Sequence, residues 1–283
     1  MECNSCDYYN NFKYFYCMKT IRLIHNLPRS GGTIISKCLS AQKDVVLLSE
    51  IHPKGVEIWK KMKKPFQIGD PIFQSQKWYD LFELKEYEKL INQNLNFLEK
   101  IELIYEKTVE KNKKLILRDW SFIDFFGFPY EEPTFKNSIL DALNKKFKVL
   151  NFYILRHPLE LYLSCFKSLT FFRKLYTFEF FIKGYENYLN FALESKIFKL
   201  EDFSLSPEKN LKNMCKILNI NFDNDYLSKL KDINITGDVK AVTSTKIEKR
   251  ENIAQNVFNK EEKNKIYNHP NFIKLMKSLN GYY

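Results

Sequence analysis

The chain has 283 residues, which is enough for one α/β domain with a substantial buried core. Its formal net charge is +11, but most of its 45 basic residues are lysines that lie along predicted helices, with glutamates between them. This pattern is typical of a solvated surface, so we expect no nucleic-acid partner. Only six arginines occur, and an arginine in such a lysine-rich chain indicates a place where a rigid, bidentate donor is needed.

The cysteines form no paired framework, and they stand at Cys3, Cys6, Cys17, Cys38, Cys165 and Cys215. The first three resemble the start of a metal site, but no fourth ligand follows at zinc-finger spacing. We therefore expect free thiols in a reducing compartment and no bound metal. The first residues lack the basic start and apolar run of a signal peptide, and no apolar stretch reaches membrane-spanning length. These features predict a cytoplasmic protein without membrane contact.

Hydrophobic runs predict strands separated by helices. Strands are expected at 20–25, 44–48, 114–118, 148–155 and 196–200, and the first, third and fourth runs are almost unbroken. Helical spacing predicts helices at 84–111, 134–145, 158–170, 177–194, 207–218, 223–231 and 260–279, the last broken near Pro270. The alternation predicts an α/β fold with an open, mainly parallel sheet flanked by helices.

The same map predicts the domain organisation. Residues 1–18 are expected to form an N-terminal extension, and residues 19–283 a single domain. The segment 233–256 is polar and poorly periodic, so we expect a long loop there. Long loops inside compact domains often act as lids or binding loops.

The segment Leu27–Thr33, with the sequence LPRSGGT, joins the first predicted strand to a predicted helix. Its paired glycines let backbone N–H groups approach an anion, and the helix N-terminus adds a partial positive charge. Arg29 adds a full charge whose planar donors match phosphate or sulfate. The GxxxxGK[ST] pattern of ATP-binding loops is absent here. The segment therefore predicts a site for a phosphate-like group other than that of ATP.

A second basic motif follows the fourth predicted strand. Arg156 leaves the strand just before Pro158 starts a helix, and Ser164 lies about two turns into that helix. Ligands of parallel sheets bind beyond the carboxyl ends of the strands, so Arg156 and Arg29 are expected on the same edge. Two basic sites on one edge indicate a ligand with two separated anionic groups. The alternative is that Arg156 pairs with a carboxylate and Ser164 faces the core or solvent.

Together these motifs resemble those of the sulfotransferases that use 3′-phosphoadenosine 5′-phosphosulfate (PAPS). Pro28–Thr33 resembles the family's 5′-phosphosulfate loop, and Arg156 with Ser164 resembles its 3′-phosphate motif, in the same order. The resemblance extends through most of the chain, in the manner of small prokaryotic sulfotransferases, and implies a three-layer, P-loop-like fold. It also implies metal-free transfer of a sulfuryl group from PAPS to a hydroxyl or amine, which leaves adenosine 3′,5′-bisphosphate.

The resemblance implies a role for each residue of the nucleotide site. The 5′-phosphate gains negative charge as it leaves, and Arg29 with the loop N–H groups would stabilise that charge. Many family members have Lys where Arg29 stands. Arg156 and Ser164 would hold the 3′-phosphate, which distinguishes PAPS from ATP. The residues expected to bind the nucleotide are Arg29, Ser30, Gly31, Gly32, Thr33, Arg156 and Ser164.

A general base must take the proton of the acceptor. Glu50 follows the second predicted strand, and in tyrosylprotein sulfotransferases a catalytic Glu follows the loop Arg at the same offset. His52 is the second candidate, since the cytosolic small-molecule branch of the family uses a His base. The alternatives are an N-cap or surface ion pair for Glu50 and a packed loop histidine for His52. His25, inside the first strand, is expected to be a satisfied core group.

Two further segments are candidates for the acceptor side and for a lid. Arg118, Asp119 and Trp120 end the third predicted strand. Asp119 is a second base, a substrate contact or the ion-pair partner of Arg118, and Trp120 lines the acceptor pocket or covers the core. The RKGxxG motif of the cytosolic branch is absent from the C-terminal loop, where the candidates for closing the nucleotide site are Ser244, Lys246 and Arg250.

Other functions remain open from the sequence. Leu115–Asp119 is similar to the magnesium-binding strand of a P-loop kinase. However, no Lys follows Gly32, and a kinase has no need of the Arg156–Ser164 pair. A nucleotide- or nucleic-acid-binding module without catalysis has only the charge in its favour. The acceptor is expected to be a small-molecule or glycan hydroxyl, while its identity and the oligomeric state remain open.

Overall fold

The computed structural model describes residues 19–236, 247 and 260–280. Within these ranges the centre is a five-stranded sheet in the order β2-β3-β1-β4-β5, in which every neighbouring pair is parallel. The strands are β1 (Thr20–Asn26), β2 (Val45–Ile51), β3 (Lys114–Asp119), β4 (Lys148–Leu155) and β5 (Ile197–Lys199). They coincide with the apolar runs of the sequence, because strands covered on both faces need apolar side chains at most positions. The predicted α/β fold with a parallel sheet is confirmed.

Helices connect the strands and cover both faces of the sheet. They are α1 (Gly32–Ser40), α2 (Gly55–Lys61), α3 (Pro71–Tyr79), α4 (Leu84–Ile91), α5 (Phe97–Glu110), α6 (Phe122–Phe126), α7 (Ser138–Leu143), α8 (Pro158–Ser168), α9 (Thr170–Leu175), α10 (Phe178–Leu193), α11 (Leu200–Leu205), α12 (Pro207–Ile217), α13 (Tyr226–Lys229), α14 (Lys260–Tyr267) and α15 (Pro270–Ser278). Short 3₁₀ turns occur at Phe66–Gly69 and Leu230–Asp232. Among the described helices, none combines the length and apolar character needed to cross a membrane.

Local sequence signals set several helix ends. Asn96 begins α5 by accepting the N–H of Glu99, while the Glu99 carboxylate accepts the N–H of Asn96. This reciprocal cap divides the helix predicted over 84–111 into α4 and α5, so the prediction of one continuous helix is wrong. Pro158 begins α8 and Pro270 begins α15, because the fixed φ and missing N–H of proline suit the first helical position.

The hydrophobic core lies on both faces of the sheet. On one face, Ile35 of α1 and Leu211 of α12 pack with Ile24 and Leu47 of the strands. On the other face, α3, α5 and α7 cover the half of the sheet nearest β2. An aromatic-rich cluster joins α6, α8, α10 and α15 beside β4. Both faces are therefore covered, as the three-layer arrangement requires.

The described cysteines, Cys38, Cys165 and Cys215, are buried and free, as predicted. Burial raises the pKa of each of these thiols to about 12, so they stay protonated at neutral pH. The N-terminal cysteines Cys3, Cys6 and Cys17, and the N-terminal extension that contains them, lie outside the described residues.

The chain topology opens a crevice at the carboxyl ends of β1 and β4. These strands are neighbours, but the chain leaves β1 towards β2 on one side and leaves β4 towards β5 on the other. Ligands of open α/β sheets bind where the connections diverge in this way. The residues that follow Asn26 and Leu155 therefore begin the candidate site.

Candidate functional site

The loop between β1 and α1 has a backbone suited to an anion. Gly31 is the N-cap of α1 with a φ of 88°, and no acidic residue occupies the first turn of the helix. This φ favours glycine, and a Cβ here would also lie 2.3 Å from Cδ1 of Leu200, whose side chain would have to shift. Ser30 braces the turn by donating its hydroxyl to the Leu27 carbonyl at 2.6 Å. The loop thus presents a free helix N-terminus, where an anion is stabilised.

The two basic motifs of the sequence meet in the crevice. Arg29 Nε donates to Ser164 Oγ at 3.3 Å, and Arg156 Nη1 donates to the Arg29 carbonyl at 2.9 Å. Arg156 is buried and also lies 3.6 Å from the carboxylate of Glu160, whereas Arg29 is exposed. Residues from the β1–α1 loop, the end of β4 and helix α8 therefore form one basic cluster, although more than a hundred residues separate the motifs in the chain.

Glu50 lies at the carboxyl end of β2 in an unusual backbone conformation. Its φ is +55°, and the pairing of β2 with β3 shifts register between Leu48 and Ile51. Such an irregularity re-aims the side chain that it contains. The Glu50 carboxylate is 22% exposed and its Oε1 lies 3.5 Å from Nη2 of Arg118. An accessible carboxylate thus stands at the same edge of the sheet as the basic cluster.

Glu50 and Arg29 are among the few described non-glycine residues with a positive φ. Four other described non-glycine residues with positive φ follow the ends of helices, where a left-handed residue is usual, and these are Lys63, Asp80, Asn112 and Asn219. Arg29, Glu50 and Phe135 have no such explanation. Strained backbone of this kind concentrates at functional sites, which favours a functional role for the two charged residues.

His52 is held in a buried network. Its Nε2 lies 3.3 Å from Oδ2 of Asp124, and its Nδ1 accepts the N–H of Lys54 at 3.1 Å. Only 2% of its side chain is exposed. Both ring nitrogens therefore have neighbours within the protein, so Glu50 has the better access to an acceptor proton.

Arg118, Asp119 and Trp120 point in different directions from the end of β3. Arg118 contacts Glu50, whereas Asp119 Oδ2 lies 2.9 Å from Nδ1 of His25 and accepts the Ser121 hydroxyl at 2.6 Å. The ion pair considered between Arg118 and Asp119 is thus replaced by two separate pairs, because neighbouring residues of a strand face opposite sides of the sheet. Both side chains are buried, which favours supporting roles rather than direct contact with an acceptor.

The surroundings of Trp120 and of His25, the partner of Asp119, were only partly predictable from the sequence. Trp120 is half-buried and stacks on Trp59 of α2, with ring centroids 5.3 Å apart. His25 is a buried core group, as expected, and its ring stacks on Tyr153, although its Nε2 finds no hydrogen-bond partner among the described residues. The sequence carried no signal for Trp59, which lies in the short helix α2.

The candidates in the C-terminal loop, Ser244, Lys246 and Arg250, lie outside the described residues. Thr236 lies near the start of the predicted loop 233–256, in its described part, and was not predicted as a functional residue from the sequence. Its backbone N–H donates to Ser49 Oγ at 2.8 Å and its carbonyl accepts from Arg118 Nη2 at 2.8 Å. Within residues 19–236, 247 and 260–280, no group of three or more His, Cys, Asp or Glu side chains is arranged to hold a metal ion.

Known structures share this fold. The sulfotransferase domain of the Synechococcus PCC 7002 olefin synthase matches with a TM-score of 0.55 and 18% identity, covering 78% of this chain and 80% of that domain. Mouse sulfotransferase SULT7A1 in complex with PAP matches with a TM-score of 0.45 and 12% identity, covering 88% and 82% of the two chains. No protein-family model and no curated protein sequence matches the chain. The match to the olefin synthase domain shows that the chain has the fold of that sulfotransferase domain, as the sequence motifs predicted.

Proposed function

We propose that the protein is an enzyme that transfers the sulfuryl group of PAPS to an acceptor hydroxyl or amine. The observation that carries the proposal is the contact of Arg29 with Ser164 and of Arg156 with the Arg29 backbone, at the crevice between β1 and β4. An accessible carboxylate, Glu50, lies at the same edge of the sheet. Basic groups for two phosphates and a base for the acceptor are the parts that this reaction needs.

The proposed donor contacts follow from the positions of these groups. The first-turn amides of α1, with Ser30, Gly31, Gly32 and Thr33, would surround the 5′-phosphosulfate. Arg156 and Ser164 would bind the 3′-phosphate, and the exposed Arg29 side chain would serve the 5′-phosphosulfate. The Arg156 guanidinium is suited to binding a phosphate, because its planar donors match two phosphate oxygens at once.

The proposed reaction is a single in-line displacement. The acceptor oxygen forms a bond to sulfur, while the bond between sulfur and the 5′-phosphate oxygen breaks. Glu50 takes the acceptor proton, and the electron pair of the broken bond stays on the leaving bisphosphate. Arg29 and the loop amides stabilise the charge that develops there, so the proposal requires no metal ion. His52 remains the alternative base.

The acceptor is proposed to be a small-molecule or glycan hydroxyl. Trp120 directly follows β3 and stacks on Trp59 of α2, and both rings are half-buried. Aromatic faces of this kind pack well against the apolar parts of a hydroxylated ligand. Asp119 and Arg118 would support that side of the site from beneath.

The proposal is tested by following labelled sulfur. The purified protein is incubated with ³⁵S-labelled PAPS and a pool of hydroxylated metabolites from the source cell, in the presence of a metal chelator. We expect label to move to an acceptor and adenosine 3′,5′-bisphosphate to appear in equal amount. If label stays on PAPS while the same pool receives phosphate from labelled ATP and Mg²⁺, the proposal is wrong.

A further inference from the structure

Arg118 is a buried cation within the candidate site. It lies at the carboxyl end of β3 and is only 2% exposed. Burial lowers the pKa of this guanidinium, and the nearby Glu50 carboxylate opposes that effect. A charge is retained at such a place only when several partners compensate the loss of water. The partners of Arg118 therefore indicate the role of its side chain in the site.

The guanidinium contacts three separate parts of the site. Nη1 donates to Thr33 Oγ1 at 3.2 Å, and Nη2 donates to the Thr236 carbonyl at 2.8 Å and lies 3.5 Å from Glu50 Oε1. Because the group is planar and its donors are fixed relative to one another, these three partners are held in one geometry. The contact with Thr33 has a further consequence. Since its oxygen accepts from Arg118, the hydroxyl hydrogen of Thr33 is left to be donated to a phosphate.

Thr236 is itself held against the strand that carries Glu50. Its N–H donates to Ser49 Oγ at 2.8 Å, and the two hydroxyl oxygens lie 2.5 Å apart. Ser49 is fully buried and immediately precedes Glu50 in β2. The contacts therefore close a ring that runs from Ser49 to Thr236, Arg118 and Glu50. We refer to these four residues as the Arg118 ring.

We propose that Arg118 is a positioning residue for sulfuryl transfer, which aligns the Glu50 carboxylate and the Thr33 hydroxyl and is itself held by Thr236 and Ser49. This inference rests on the proposed function. Arg118 touches neither the acceptor nor the sulfur in this account, so its removal affects the transfer step more than donor binding. Lysine cannot replace it fully, because a single ammonium group cannot keep three partners in fixed directions.

The test compares Arg118→Met, Arg118→Lys and Ser49→Ala with Arg173→Met, which changes an exposed arginine on α9. Bisphosphate affinity is measured by calorimetry, and turnover by ³⁵S transfer from PAPS to an acceptor found with the label-transfer assay, or to water. We expect Arg118→Met to lower turnover about 100-fold, the size of effect that follows from misplacing a reacting group by about 1 Å. Arg118→Lys and Ser49→Ala are expected to lose about tenfold each, and the dissociation constant of the bisphosphate to change less than about threefold.

Two results of the turnover and affinity measurements overturn the inference. One is turnover of Arg118→Met within about threefold of the wild type, which is below the effect of displaced reacting groups. The other is a loss of bisphosphate affinity as large as the loss of turnover, which makes Arg118 a donor-binding residue. A crystal structure of Arg118→Lys with bisphosphate gives a readout that needs no acceptor. If the Glu50 carboxylate has the same position in that structure as in the wild type, the inference is also contradicted. Failure of the proposed function can be distinguished from failure of this inference, because the wild-type protein would then not bind the bisphosphate.

Discussion

Glu50 is the residue on which the proposed chemistry depends. Its carboxylate is accessible and points to the same edge of the sheet as Arg29, while the second candidate base, His52, is enclosed by Asp124 and the Lys54 backbone. The sequence indicated both candidates through their place after a strand. It favoured Glu50 over His52 but did not show that His52 is enclosed, because the burial of His52 depends on α6, which lies about 70 residues further along the chain.

Replacing Glu50 by Gln separates binding from catalysis. The variant keeps the size of the side chain but cannot take a proton, so we expect turnover to fall by at least about 100-fold. Bisphosphate affinity, measured by calorimetry, is expected to stay unchanged, because the proposed donor contacts do not include Glu50. The matched control is Glu57→Gln, an exposed carboxyl on α2. Full activity in Glu50→Gln, with none in His52→Ala, would show that His52 is the base.

Arg156 is expected to dominate recognition of the 3′-phosphate. We predict that Arg156→Ala weakens bisphosphate binding about 100-fold, since a charge-assisted contact with a buried guanidinium contributes about 2–3 kcal/mol. Arg173→Ala, on the exposed surface of α9, should leave the affinity unchanged. Calorimetry with the bisphosphate and with adenosine 5′-phosphate checks the assignment. Equal losses for both nucleotides in Arg156→Ala would place the arginine elsewhere on the ligand.

Helices α6 and α7 are joined through one buried carboxylate. Asp124 of α6 accepts the N–H and the hydroxyl of Ser138, at 2.9 and 2.7 Å, and the hydroxyl of Thr134 at 2.7 Å, and it lies beside His52. Burial opposes its ionisation, but the hydrogen bonds from His52, Ser138 and Thr134 outweigh burial and lower the pKa of Asp124. This carboxylate therefore connects α6, the start of α7 and the loop after β2.

The lowered pKa of Asp124 gives a stability prediction with a definite sign. Its stabilising effect is complete above its ordinary pKa of 3.8 and is lost as the pH falls through the lower folded-state value. Asp124→Asn should therefore lose about 2 kcal/mol of unfolding free energy near pH 7. Its deficit relative to the wild type should shrink below about pH 4. Urea unfolding across this range, with the exposed Glu88→Gln of α4 as control, checks this, and a deficit that grows in acid contradicts it.

The elements of the sheet were predictable because their signals are local. Each strand carries a run of apolar residues, and proline or a capping side chain starts several helices. The break between α4 and α5 was not predicted, because apolar spacing continues across it and only the cap at Asn96 interrupts the helix. The position of Glu50 in an irregular part of β2 was also beyond local signals, since the register shift depends on pairing with β3.

At the scale of the whole molecule, strand order decides what the site contains. The motifs around Arg29 and Arg156 meet because β1 and β4 are neighbours in the sheet. The sequence indicated this meeting, since both motifs follow strands of a parallel sheet. It gave no indication of the Arg118 ring, in which Thr236 lies 118 residues from Arg118 in the chain. A contact over that separation depends on the complete fold.

We propose that the crevice binds a nucleotide with a 3′-phosphate and needs no metal to do so. Calorimetry of the full chain with adenosine 3′,5′-bisphosphate in a chelator, and with ATP and Mg²⁺ in parallel, tests it most directly. We expect the bisphosphate to bind with a Kd of about 1 μM or lower, equivalent to at least about 8 kcal/mol, and ATP with Mg²⁺ to bind far more weakly. Tighter binding of ATP with Mg²⁺ than of the bisphosphate would contradict the account.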